Sequence, residues 1–163
     1  MKRVVMSMNV PCRRVVVDGD ACPVKAEIAR TVRRFGATAL LVSSHAHVLT
    51  AEPSVDVVTV DAGNQSADLY IANVLTKNDI LVTADYGLAA LGLARGSCVL
   101  TPRGKQIRGD DIEGLLEQRH FSARQRRGGV RTKGPRPFTG EDRDRFQQKL
   151  TALLRGMQEI PDT

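Results

Sequence analysis

VVVDGDACPV, residues 15–24, is the stretch whose reading decides the fold. Three β-branched apolar residues in a row suit a strand buried on both faces, the kind found in parallel sheets. Two aspartates one residue apart follow, Asp18 and Asp20. Pro23 has the fixed φ that suits a first helical position. Beyond it Val24, Ile28, Val32 and Phe35 recur at helical spacing, and Lys25, Glu27, Arg30, Arg33 and Arg34 fill the other face. Gly36 is a natural residue to end that helix. The strand therefore delivers Asp18 and Asp20 to its C-terminal end, beside a helix N-terminus, and in open α/β sheets ligands bind at that edge.

The same alternation continues outward. Residues 38–42 and 55–60 read as strands, the second ending at Asp61. A helix opens at Ser66 as N-cap and ends before Asn78, and ADLYIANVL inside it is apolar almost all round, which predicts deep packing. Asp68 lies three and seven residues before Ile71 and Leu75 and so shares their face. Residues 80–83 form a further strand leading into Ala84-Asp85, 87–95 a small apolar helix, and 98–100 a strand followed by the turn TPRG. A helix at 110–119 and a last one, with Thr139 as N-cap and Asp142 three residues on, complete the pattern. Phe146, Leu150, Leu153, Leu154 and Met157 mark the docking face of that last helix. The order predicts one three-layer α/β domain with a mostly parallel sheet of about five strands. Residues 1–12 read as a loose leader, 13–155 as the domain and 156–163 as a tail.

Composition narrows the setting. The chain of 163 residues is 42% apolar but only 4% aromatic, so its core must be aliphatic. Cys12, Cys22 and Cys98 form no CxxC pair, and an odd, sparse set points to a reducing cytoplasm rather than a disulfide framework. No apolar run approaches the roughly 20 residues of a membrane span. The net charge of +6 is localised: seven Lys or Arg and no acid lie between Arg119 and Gly140, whereas the rest holds 17 basic against 18 acidic residues. The segment 119–137 has neither helical nor strand period and reads as a mobile basic stretch inside the domain. A polyanion such as nucleic acid is one natural partner, and a solvated basic loop is the other reading of the same run. Arg124, Arg126, Arg127, Arg131, Lys133 and Arg136 would contact phosphates there, with Arg103 and Lys105 of the TPRG turn as additions.

Asp18, Asp61 and Asp85 end three predicted strands, and Asp20 and Asp68 begin the following helices, so all reach one sheet edge. Any single Asp there is a common turn or cap residue. Several together repel one another unless a cation holds them, and hard oxygen ligands favour Mg²⁺ or Mn²⁺. Such a site activates water for in-line attack on a phosphodiester.

Other chemistries fare less well. A cysteine phosphatase needs Arg six positions after Cys, and Cys12, Cys22 and Cys98 find Asp18, Ile28 and Gly104 there. Cys22 at a helix N-terminus would have a lowered pKa, yet it lacks a partner His or second Cys. His45 and His47 lie in a predicted loop without a third ligand. No GxxxxGK[ST] or GxGxxG loop occurs. A phosphatase of the haloacid dehalogenase type also places two aspartates one residue apart after its first strand, but Thr or Val belongs where Cys22 stands.

DGDACPVKAEI at 18–28, SADLYIA at 66–72, LVTADYGLA at 81–89, LTPRGK at 100–105 and KGPRPFTGEDRDRF at 133–146 together resemble the YaiI/YqxD family of small bacterial proteins. The resemblance runs from Val15 to about Leu154, with Gly19 standing where that family usually has Ala. The family is similar in turn to PIN-like nuclease domains. That likeness implies a PIN-like fold with Asp18, Asp68 and Asp85 as metal ligands and Asp20 as a further ligand or water orienter. Asp61 matches none of these motifs. The expected function is metal-dependent hydrolysis of RNA, carried by Asp18, Asp20, Asp68 and Asp85. The alternatives are a non-catalytic RNA- or ribosome-associated protein, which needs only the basic segment, and a haloacid-dehalogenase-like phosphatase.

Overall fold

A computed structural model of the chain describes residues 14–20, 22–44, 52–61, 66–114, 128–129 and 136–159. Its centre is a six-stranded sheet: β1 (Arg14–Asp18), β2 (Thr38–Ser43), β3 (Val55–Thr59), β4 (Asp79–Val82), β5 (Cys98–Leu100) and β6 (Gln106–Ile107). The order is β3-β2-β1-β4-β5-β6, parallel throughout except for β6, which returns antiparallel to β5. Among the described residues it is accompanied by α1 (Lys25–Arg34), α2 (Ser66–Val74), α3 (Tyr86–Ala94) and α4 (Gly140–Glu159). Residues 109–114 are also helical, and α4 runs on into the stretch read as a tail.

Strand alternation sorts the core into two layers. Val15, Val17, Leu41, Ile80, Val82 and Leu100 face α1 and α4, where Ile28, Val32, Phe146, Leu150 and Leu154 pack. Val16, Leu40, Val42, Leu81 and Val99 face α2 and α3, against Ala67, Ile71, Leu75, Leu88 and Ala89. Val15, Val16 and Val17 are all inaccessible to solvent, as a strand covered on both faces requires. The three-layer α/β expectation therefore holds, with one strand more than the pattern gave.

That extra strand is the second half of a hairpin. Gly104 closes the Thr101–Gly104 turn, donating to the Thr101 carbonyl at 2.9 Å with φ at +88°. A Cβ at Gly104 would lie 2.7 Å from the backbone of Arg145 and Phe146, so the turn lies flat against α4.

Three local expectations are corrected. Pro23 stands in a turn before α1, whose N-cap is Val24. Glu27, assigned to the solvent face of α1, is buried, because α4 covers it and Arg143 pairs with its carboxylate at 2.9 Å. The α2 helix is not deeply packed: Ala67 and Ile71 face the sheet, but Leu69 is 60% exposed, since an outer-layer helix has only one covered side. It ends at Val74, before Asn78 as expected.

The N-terminal edge of the sheet is tied by a bidentate ion pair. Arg14 donates through Nε and Nη2 to the two oxygens of Asp79 at 3.0 and 2.7 Å, and Asp79 also accepts from the Thr76 amide at 2.8 Å.

Candidate functional site

The chain leaves β1 outward to β2 and β3, then returns to β4 on the other side of β1. The strand order reverses between β1 and β4, and a crevice opens at the C-terminal ends of strands at such a point. Asp18 is the last residue of β1, and Thr83 follows β4. Both continue the alternation that points Val16 and Leu81 toward α2 and α3.

Thr83 links the two sides. Its Oγ1 donates to Asp18 Oδ2 at 3.1 Å and accepts the Asp85 amide at 3.0 Å. Asp85 is the N-cap of α3, and its Oδ1 accepts from the amides of Gly87 and Leu88 at 2.8 and 3.2 Å. Asp20 is held at the end of β2: it accepts from Ser43 Oγ at 2.8 Å, from Ser44 Oγ at 2.5 Å and from the Ser44 amide at 3.2 Å. Gly19 makes that turn possible by lying against β2, with its amide 2.8 Å from the Val42 carbonyl. A Cβ there would meet the same oxygen at 2.9 Å, so an Ala at this position needs a small backbone adjustment.

Asp18 and Asp68 feel the acids around them. Burial lifts Asp18 to about 6, the Thr83 hydrogen bond partly offsets this, and the charges of Asp68, Asp20 and Asp85 raise it further. Asp68, in the first turn of α2, is raised by burial and then by Asp85 and Asp20. Asp18, Asp20, Asp68 and Asp85 thus form one electrostatic unit at the sheet edge. Asp61 does not join it: it is exposed beyond β3, the outermost strand, two strands from β1.

Among the described residues no three His, Cys, Asp or Glu side chains stand together as a metal-holding group. The three-carboxylate set of Asp18, Asp68 and Asp85 is therefore not a ready-made cage, and one reason is that Asp85 already caps α3. The donor chemistry still fits a smaller role. Mg²⁺ uses one or two carboxylates and keeps several waters, and a cation relieves the repulsion that raises Asp18 and Asp68.

Cys22 goes against the expectation of a lowered pKa. Burial pushes its thiol up, more than the Val24 amide and Lys25 pull it down. It packs at the margin of the α1–α4 core layer.

Two of the expected phosphate contacts have internal work. Asp142 has no solvent exposure, and Arg103, Arg136 and Arg145 converge on it at 2.9, 2.6 and 3.0 Å. These guanidinium groups hold its carboxyl well below the usual range, the Arg136 hydrogen bond most of all. Arg103 also donates to the carbonyls of Pro137 and Arg136, and lies over the Phe138 ring. Asp142 and Thr139 cap α4 reciprocally, each accepting the other's amide, at 3.0 and 3.3 Å. Lys105 is exposed in the hairpin. Arg124, Arg126, Arg127, Arg131 and Lys133, with His45 and His47, lie outside the described residues.

Thr83, Ser43, Ser44 and the Asp142 hub were not singled out by sequence reasoning. The Thr83-Ala84-Asp85 spacing, a hydroxyl two residues before a cap, was the available signal.

The fold and edge define a doubly wound α/β protein with an acidic switch point. The sequence profile of the YaiI/YqxD family, described as uncharacterised, matches residues 16–156. A UPF0178 protein of Halalkalibacterium halodurans is 46% identical over 140 residues, covering 86% of this chain and 89% of that one. UPF0178 proteins of Bacillus cereus and Shouchella clausii are 42% and 39% identical, covering 86% and 90% of this chain and 98% and 96% of theirs. The chain belongs to the YaiI/YqxD family. No solved structure matches it. No helix among the described residues is long and apolar enough to cross a membrane.

Proposed function

We propose that this protein is a divalent-metal-dependent nuclease that hydrolyses RNA phosphodiesters. The observation that carries the reading is the coupling of Asp18 to Asp68, Asp20 and Asp85 over the β1/β4 switch point. Structural caps do not need Asp20 and Asp85 placed where their charges raise both Asp18 and Asp68. Asp18 and Asp68 are the residues that would hold Mg²⁺ or Mn²⁺, with Asp85 beside them. When bound, the ion supplies a polarised water and neutralises charge at the phosphate. Thr83 aims the Asp18 carboxylate by donating to Oδ2. Asp20, fixed by Ser43 and Ser44, orients water rather than contributing a mobile ligand. The likeness of the family to PIN-like domains supports the same assignment of Asp18, Asp68 and Asp85.

The test is cleavage of labelled single-stranded and structured RNA with Mn²⁺, comparing wild type with Asp18→Asn. The expected result is cleavage that falls at least about a hundredfold in the variant, the scale of losing a metal-site or transition-state contact. RNA left intact by wild type ends the nuclease reading. Release of phosphate from p-nitrophenyl phosphate by wild type alone would favour the phosphatase instead.

A further inference from the structure

On the α1–α4 face, away from the acidic crevice layer, the two helices enclose a groove of about 810 Å³. Arg30, Arg33 and Arg34 of α1 and Arg155 of α4 line it, and no acid does. Across α4, at Gln148 and Ala152, it adjoins a second groove of about 420 Å³. Arg108, Arg145 and Lys149 line that one, again without an acid. Arg33 shares Glu52 at 3.7 Å, and Arg145 belongs to Asp142. Arg30, Arg34, Arg108, Lys149 and Arg155 have no carboxylate partner among the described residues.

Like charges converging on a concave surface repel, and an anionic occupant removes that cost. The α4 ridge between the grooves presents Gln148, Thr151 and Ala152, which are polar or small. An interfacial helix would instead offer large apolar side chains to a bilayer. α1 begins beside the acidic edge and ends at the groove, ten residues or about 15 Å further on. We propose that the two grooves flanking α4 form a track for the phosphate backbone of a nucleic-acid strand, RNA on the reading given above. The track leads along α1 to the C-terminal edge of the sheet, across which Asp18 faces the other layer. It relies on no base contact, so it is indifferent to sequence.

The test is fluorescence anisotropy of a fluorescein-labelled single-stranded RNA in EDTA, titrated between about 50 and about 200 mM salt. Arg30→Ala/Arg34→Ala/Arg155→Ala is expected to weaken binding at least about tenfold and to lower the salt slope by about two. Arg155→Glu alone, at an exposed position, is expected to act in the same direction. Arg95→Ala, at the C-terminal end of α3 on the other layer, is expected to leave binding unchanged. Wild-type affinity and slope in both groove variants would overturn the track. So would groove variants that lose only binding to phosphatidylserine vesicles. A parallel Mn²⁺ cleavage assay separates the two readings. Lost binding without any wild-type cleavage upholds the track and ends the nuclease. Cleavage with unaltered binding in the groove variants does the reverse.

Discussion

At the scale of single residues, the raised pKa of Asp18 sets a pH dependence. A folded-state value of about 6 against 3.8 for the free group means that the folded protein holds this proton more tightly. The charged form is therefore a cost to stability, absent below about 3.8 and complete above about 6. Asp18→Asn is expected to raise stability by about 1 kcal/mol at pH 8, after allowance for solvent screening. The gain should vanish below pH ~4, as thermal melts of the two proteins at several pH values would read. Mn²⁺ should raise the melting temperature of wild type at pH 8 and not that of the variant. Mn²⁺ binding should tighten as pH rises through about 6, because the metal-free protein must ionise Asp18 beside Asp68, Asp20 and Asp85 before it takes the ion, so activity at subsaturating Mn²⁺ should rise over the same range. Thr83→Val removes the one hydrogen bond that favours the charged form, so the acidic limb should move upward. An unmoved limb would separate Thr83 from Asp18.

Helix α4 decides most at the scale of elements. Phe146, Leu150 and Leu154 are inaccessible and close the core layer shared with α1. Phe146→Ala should cost about 3–5 kcal/mol, measured by urea unfolding. The apolar spacing 146, 150, 153 and 154 announced this docking face, because burial on one side of a helix leaves a 3.6-residue trace in sequence. What α4 covers was not announced. Glu27 and Thr31 look polar along α1, yet both are buried under Arg143 and Gln147. Two-residue β6 escaped for a related reason: its partner is reached through a turn whose Gly104 reports a bend and not a pairing. The all-apolar run of α2 misled in the opposite direction, since composition does not say which layer a helix occupies.

The whole molecule divides its labour between the two ends of one sheet. The N-terminal edge is secured by Arg14 and the buried Asp79. Asp79→Ala removes the buried acceptor of two Arg14 hydrogen bonds and of the Thr76 amide, and should cost about 3 kcal/mol. The protein that remains folded should keep wild-type RNA cleavage per molecule. Asp18→Asn should do the reverse, costing activity while adding stability. A single substitution at Asp79 that abolished cleavage without unfolding would break this division.

The sequence by itself determined the strand and helix identities, the aliphatic three-layer core and the placing of Asp18, Asp68 and Asp85 at one edge. Periodicity and caps are local, so they survive in the linear chain. Only the tertiary structure decided the sixth strand, the β1/β4 switch point and the Thr83 bridge to Asp18. It alone turned Arg103 and Arg136 inward to Asp142 and left Arg30, Arg34 and Arg155 facing a groove. Whether a charged side chain is spent inside the fold or offered outside depends on partners far along the chain, as Arg103 and Asp142 show across 39 positions.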